Sequence, residues 1–204
     1  MIMKNIISFI RQLIDAVNFK KYSTKLNGHK FVDLGLPSGL KWAAYNVGAT
    51  SPSEVGNFYA WGEIYCKSEF LAKNSLTRDK EYGDISGLLQ NDAARANWGM
   101  GWRMPTRFEF EELMSECSWE IEIQNKRLGY KCIGKNGNSI FFPATGFCWE
   151  LQSVNQPDGF YWSSTPDTED TLLSYSFGFN YTEAEYAVDW NERHYGMAIR
   201  PVTE

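Results

Sequence analysis

Four cysteines and two histidines are the chain's candidate soft ligands and nucleophiles, and their spacing decides what they can do. Cys66, Cys117, Cys132 and Cys148 contain no CxxC pair, and His29 and His194 stand far apart in sequence. A zinc site, which draws on closely spaced pairs of such ligands, is therefore not expected. The same cysteines could close two disulfides; with no export signal read, buried thiols are the expected state. The motifs G-x-S-x-G, H-E-x-x-H and the Walker loop do not occur. The acid pair Glu111 and Glu112 falls on a helical stretch, where a charge run reads as a solvated face. No catalytic constellation emerges, and the chain is not expected to be an enzyme.

Charge narrows the partners further. The net charge of -5 is unevenly spread: residues 1 to 30 carry six Lys or Arg against Asp15 alone, and residues 150 to 204 carry ten acids against Arg193 and Arg200. Such a C-terminal field repels a phosphate backbone, so nucleic acid is not an expected partner.

The N-terminal stretch "NIISFIRQLIDAVNF" puts Ile6, Ile7, Ile10, Leu13, Ile14 and Val17 on one helical stripe. Arg11 and Asp15 interrupt it well short of a membrane span, and no A-x-A cleavage site follows. Neither a signal peptide nor a transmembrane anchor is expected. The stripe suits a helix docked on its own domain or on another copy of the chain, giving a homo-oligomer through residues 5–19. Lys20, Lys21 and Lys25 make contact with a membrane surface the less favoured alternative.

Beyond a polar linker the texture changes to short apolar pieces punctuated by Gly, Pro, Asn and Ser. "KFVDLG", "LKWAAYNVG" and "YAWGEI" read as strands or strand-like segments, and Ser51, Pro52 and Glu54 as a capped turn. In "WGMGWRMPTRFEF", Thr106 and Glu109 have capping-box spacing for a helix through "FEFEELMSEC". Phe108, Leu113 and Met114, with Phe110 alongside, are its expected buried face. Trp98 and Trp102 read as core, with Gly99 and Gly101 turning the backbone between them. "WEIEIQ" alternates as a strand, and "GKNGN" between "YKCI" and "SIFF" signals a hairpin. "FYWSST", "SYSFGFN" and "YAVDWNERHYGMAIRPV" supply three further strands. In the second of these Tyr175, Phe177 and Phe179 share one face, while Ser176 and Gly178 share the other. Arg103 and Arg200, inside aromatic segments, read as buried or partly buried anchors.

The ordered motifs "VDLGLPSGLKWAAYNVGA", "YAWGE", "GWRMPT", "NGNSIFFPATG", "YWSS" and "YGMAIRPV" resemble the Fibrobacter succinogenes major paralogous domain family over about residues 30 to 202. That family is similar to the C-type-lectin-like variable proteins of diversity-generating retroelements. The resemblance implies an α+β, C-type-lectin-like domain over residues 30–204, behind an amphipathic helix and linker at residues 1–29. It also implies that the first and last strands pair, setting "KFVDLG" beside "MAIRPV". By likeness to the diversified positions, it points to Ser176, Gly178, Asn180, Asp189, Asn191, Glu192 and His194 as ligand contacts, with Tyr181 and Tyr186 nearby. Phe177, Phe179, Val188 and Trp190 would be their core partners. "TPDTEDTLL" and "YTEAEY" lack the Asn, Ser and Tyr-rich texture that adenine-directed diversification leaves, so active diversification is not expected. The related formylglycine-generating fold uses a late cysteine pair, whereas the last cysteine here is Cys148.

"QPD" followed by "DWNE" is similar to the elements that hold calcium and sugar in true C-type lectins. Gln156, Asp158, Asn191 and Glu192 would be the oxygen ligands if the segments converge. The Trp-Asn-Asp element is incomplete, and a proline turn is the favoured reading. The expectation is a non-catalytic module, without a required cofactor, that binds a surface glycan or protein. The alternative is a structural or receptor-binding component of a phage or cell-surface assembly. Lack of a leader implies a cytoplasmic or virion-associated protein, whereas family resemblance implies the cell surface.

Overall fold

A computed structural model describes residues 24–150, 152–154 and 157–204. The stripe at residues 5–19 and Gln156 lie outside the described residues. The rest is a sheet-rich α+β structure. Its elements run β1 (Lys25–Leu26), β2 (His29–Asp33), β3 (Lys41–Ala43), α1 (Ala93–Trp98), α2 (Arg107–Glu116), β4 (Ser118–Gln124), β5 (Arg127–Ile133) and β6 (Ser139–Pro143). There follow β7 (Phe147–Trp149), β8 (Gln152–Val154), β9 (Gly159–Pro166), β10 (Leu173–Asn180), β11 (Glu185–Glu192) and β12 (Val202–Thr203). No described helix is long and apolar enough to cross a membrane.

The sheets are β1-β2-β3-β12, β4-β5-β6, β9-β10-β11 in antiparallel order, and the small β7-β8 pair. The terminal strand does join the sheet of the first strands, but not as their direct neighbour. β3 stands between, pairing Phe31 with Ala43 on one side and Trp42 with Val202 on the other. The expected contact of "KFVDLG" with "MAIRPV" is thus corrected: β2 pairs with the segment that follows it through the connection at residues 34–40, a far cheaper closure than pairing with the distant tail. The tail threads the centre instead, with Met197 bridged to Tyr59 and Ala198 to Tyr161. β1 and His29 already belong to this sheet, on the folded side of the boundary expected at residue 30.

The capping box forms as read. The Thr106 hydroxyl accepts from the Glu109 amide at 3.3 Å, and the Glu109 carboxylate accepts from the Thr106 amide at 2.8 Å. That carboxylate also takes a bidentate pair from Arg103 at 2.6 and 2.8 Å, so one side chain fixes both the helix start and the preceding strand-like segment. Phe110 and Leu113 are buried and Met114 packs beside them, but Phe108 is 64% exposed and lies under the Arg107 guanidinium. Phe110 and Leu113, three apart, face the core, and Phe108 falls off that stripe.

Trp98 and Trp102 are buried and meet edge to face with centroids 4.9 Å apart, and Gly99 and Gly101 hold φ of 85° and 91° between them. The "GKNGN" segment joins β5 to β6, with Ile133 opposite Ser139. Arg200 is fully buried, donating to Asn46 Oδ1 at 2.7 Å and to the Ala43 and Phe141 carbonyls. With no carboxylate partner in that set, burial pulls its pKa down to about 10. Cys132 is buried and Cys66 is exposed, so the buried-thiol reading fails at Cys66.

Candidate functional site

Antiparallel register divides the β9-β10-β11 sheet into two chemically different faces. Phe177 pairs with Tyr161 and Val188, and Phe179 pairs with Gly159 and Tyr186; this face turns inward. Phe110, Trp119, Phe142 and Tyr161 all contact Phe177, so aromatic burial fixes the sheet's orientation. The alternate residues, Ser176, Gly178 and Asn180 on β10 with Asp189, Ala187 and Glu185 opposite them on β11, form the other face.

On that second face lies an open hollow of about 320 Å³. Ser176, Gly178, Ala187, Asp189 and Asn191 line it, with Phe160, Asp158 and Asn180 towards one end. Its polar groups are held in place. Asn191 Nδ2 donates to Ser176 Oγ at 2.8 Å, and the Trp190 amide donates to Asp189 Oδ1 at 2.8 Å. The β10-β11 turn is tied down as well: Asn180 Oδ1 accepts from the Thr182 amide and hydroxyl, and Asp158 Oδ1 accepts from the Tyr181 amide. A methyl on Gly178 would stand 3.4 Å from the Phe160 ring, so the missing side chain leaves that ring as part of the floor.

Electrostatically the hollow is rich in acceptors. Among the described residues, Asp158, Glu185 and Asp189 line it, and no lysine, arginine or histidine does. Rigid carboxylates and amides beside an aromatic ring can orient a hydroxyl-rich or donor-bearing ligand through several hydrogen bonds and one flat contact.

The expected contact residues divide accordingly. Ser176, Gly178, Asn180, Asp189 and Asn191 gather at the hollow, although the Ser176 side chain is buried in its wall. Tyr186 reaches its lining but packs its ring on Trp119 and Tyr130, on the core side. Tyr181 stands on the turn, 40% exposed and outside the hollow. Glu192 and His194 are not on the open face. His194 is buried, with Nδ1 3.0 Å from Glu192 Oε2 but without hydrogen-bond alignment. Burial lowers the His194 pKa, the Glu192 charge opposing and Arg78 and Lys67 reinforcing that shift.

Trp190, expected in the core, is 55% exposed and lines the hollow. Its neighbours Tyr186 and Val188 stop at the edge of the core, and the sheet continues past it. Of the four oxygen ligands weighed for calcium, Asp158 and Asn191 share the hollow, whereas Glu192 follows Asn191 along the strand and points to the opposite face. Among the described residues no group of three His, Cys, Asp or Glu is placed to hold a metal.

Sequence reasoning missed Phe160, Glu185, Ala187 and Trp190 at the hollow. Ala187 and Glu185 follow from Asp189 by the strand period, a signal that was present in "EYAVDW". It also missed Arg193, buried over Trp61 at 4.4 Å, whose guanidinium donates to the Leu173 and Lys80 carbonyls and holds the end of β11 in place.

No protein-family model, curated protein or solved structure matches the chain.

Proposed function

We propose that the chain is a non-catalytic recognition module of C-type-lectin-like build, holding a surface glycan or protein on the open face of β9-β11. The observation that carries this reading is the gathering of Ser176, Gly178, Asn180, Asp189 and Asn191, from the two strands of one antiparallel hairpin, around one hollow. Its hydrogen-bonding groups are fixed by the sheet and by the capped turn, so little ordering entropy opposes binding. Phe160 supplies flat apolar contact and the carboxylates supply direction.

The test is an array of glycans and purified surface proteins probed with the wild type beside a variant carrying Asp189→Ala and Asn191→Ala. Loss of the bound ligands in the variant is expected; equal binding by both would reject the site.

A further inference from the structure

The β4-β5-β6 sheet ends in an edge that differs from the others. Among the described residues, no strand pairs with the side of β4 away from β5. Its register with β5 runs unbroken from Ser118 opposite Ile133 to Gln124 opposite Arg127, and it contains no proline, lysine, glycine or bulge. Those are the devices that usually blunt an edge. On β11, the edge of the neighbouring sheet, the Asp189 side chain occupies the Trp190 amide.

The two faces of β4 also differ. Trp119, Ile121 and Ile123 share one face, opposite Cys132, Tyr130 and Leu128. Trp119 enters the core against Phe142 and Phe177, but the strand continues past the core, leaving Ile121 45% and Ile123 68% exposed. Glu120 and Glu122 alternate with them on the other face, where Lys131 approaches only Glu122, at 4.0 Å.

We propose that the outer edge of β4 receives an extended peptide strand in which aliphatic and basic residues alternate. Backbone pairing would continue the sheet, aliphatic side chains would lie beside Ile121 and Ile123, and basic ones beside Glu120 and Glu122. A second copy of the chain is a poor occupant. Antiparallel pairing of β4 with itself, in each register that pairs five or more of its residues and keeps the isoleucines on one face, sets glutamate opposite glutamate. This surface is separate from the β9-β11 hollow and does not depend on it.

The test uses fluorescein-labelled, end-blocked Lys-Val-Lys-Val-Lys-Val-Lys, its glutamate counterpart, and the scrambled Lys-Lys-Lys-Lys-Val-Val-Val, with binding to the full chain read by fluorescence anisotropy. The alternating lysine peptide is expected to bind at least roughly tenfold more tightly than either of the others. A variant with Glu120→Lys and Glu122→Lys should reverse the preference to the glutamate peptide, and one with Ile121→Thr and Ile123→Thr should weaken both, with unchanged melting temperatures. Three peptide outcomes would overturn the proposal: no binding, equal binding of alternating and scrambled peptides, or a preference that survives the charge swap. A wild-type dimer in sedimentation that dissociates with the threonine variant would also overturn it, by assigning the edge to a second copy.

Discussion

Phe110 of α2 and Phe177 of β10 lie almost parallel, ring centroids 5.1 Å apart with 11° between their planes. That stack clamps the helix to the sheet and thereby decides which residues of β10 remain for solvent. Phe177→Ala should cost about 3–5 kcal/mol, the range for emptying a buried aromatic position. The adjacent Gly178→Ala should change stability by less than about 0.5 kcal/mol, since the new methyl meets the Phe160 ring at 3.4 Å and the Gly159 carbonyl oxygen at 3.6 Å, both ordinary contact distances. Urea unfolding of both variants checks the contrast; comparable losses would mean that the two faces are not divided as described.

The second prediction concerns the start of α2. Thr106→Ala removes one half of the capping box and should cost about 1 kcal/mol. Glu109→Ala should cost more, because it also strands the partly buried Arg103 guanidinium. Thermal melting should show a drop of roughly 2–4 °C for the threonine variant and a larger one for the glutamate variant.

Acidification should weaken the fold through its histidines. Burial lowers the pKa of both His29, stacked on Trp98 with centroids 3.9 Å apart, and His194. A depressed native pKa means that the unfolded chain takes up the proton first as pH falls. Stability is therefore intact above the unfolded value of about 6.5 and declines below it, until the native histidines also protonate. His29→Gln with His194→Gln should flatten melting temperature against pH in that window. An unchanged slope in the double variant would assign the acid sensitivity to other groups.

Local signals carried much of this structure. The Thr106 and Glu109 spacing, the "GKNGN" hairpin, the Trp98 and Trp102 core positions and the alternation in "SYSFGFN" all depend on neighbours within a few residues, and all are present. Where the outcome depended on distant packing, the reading failed. Trp190 alternates correctly with Val188, yet whether the core extends beneath it is set by α2 and β4, not by its own strand. Likeness to diversified positions points to Glu192 and His194, but Glu192, the last residue of β11, alternates with Asn191 onto the opposite face, and His194 lies buried beyond the strand. Ser176, Gly178, Asn180, Asp189 and Asn191 reached one hollow because register, once begun, carries alternation across both strands.

The central claim is that the open face of β9-β11 is where ligand sits. Ala187 lies exposed in that face opposite Gly178, and its substitution removes no side-chain hydrogen bond. The direct measurement is array binding by Ala187→Phe, which fills the hollow, alongside the wild type at matched melting temperature. Every ligand captured by the wild type should be lost or weakened at least roughly tenfold in the variant, the scale of one blocked contact cluster. Undiminished binding by a folded Ala187→Phe protein would contradict the account.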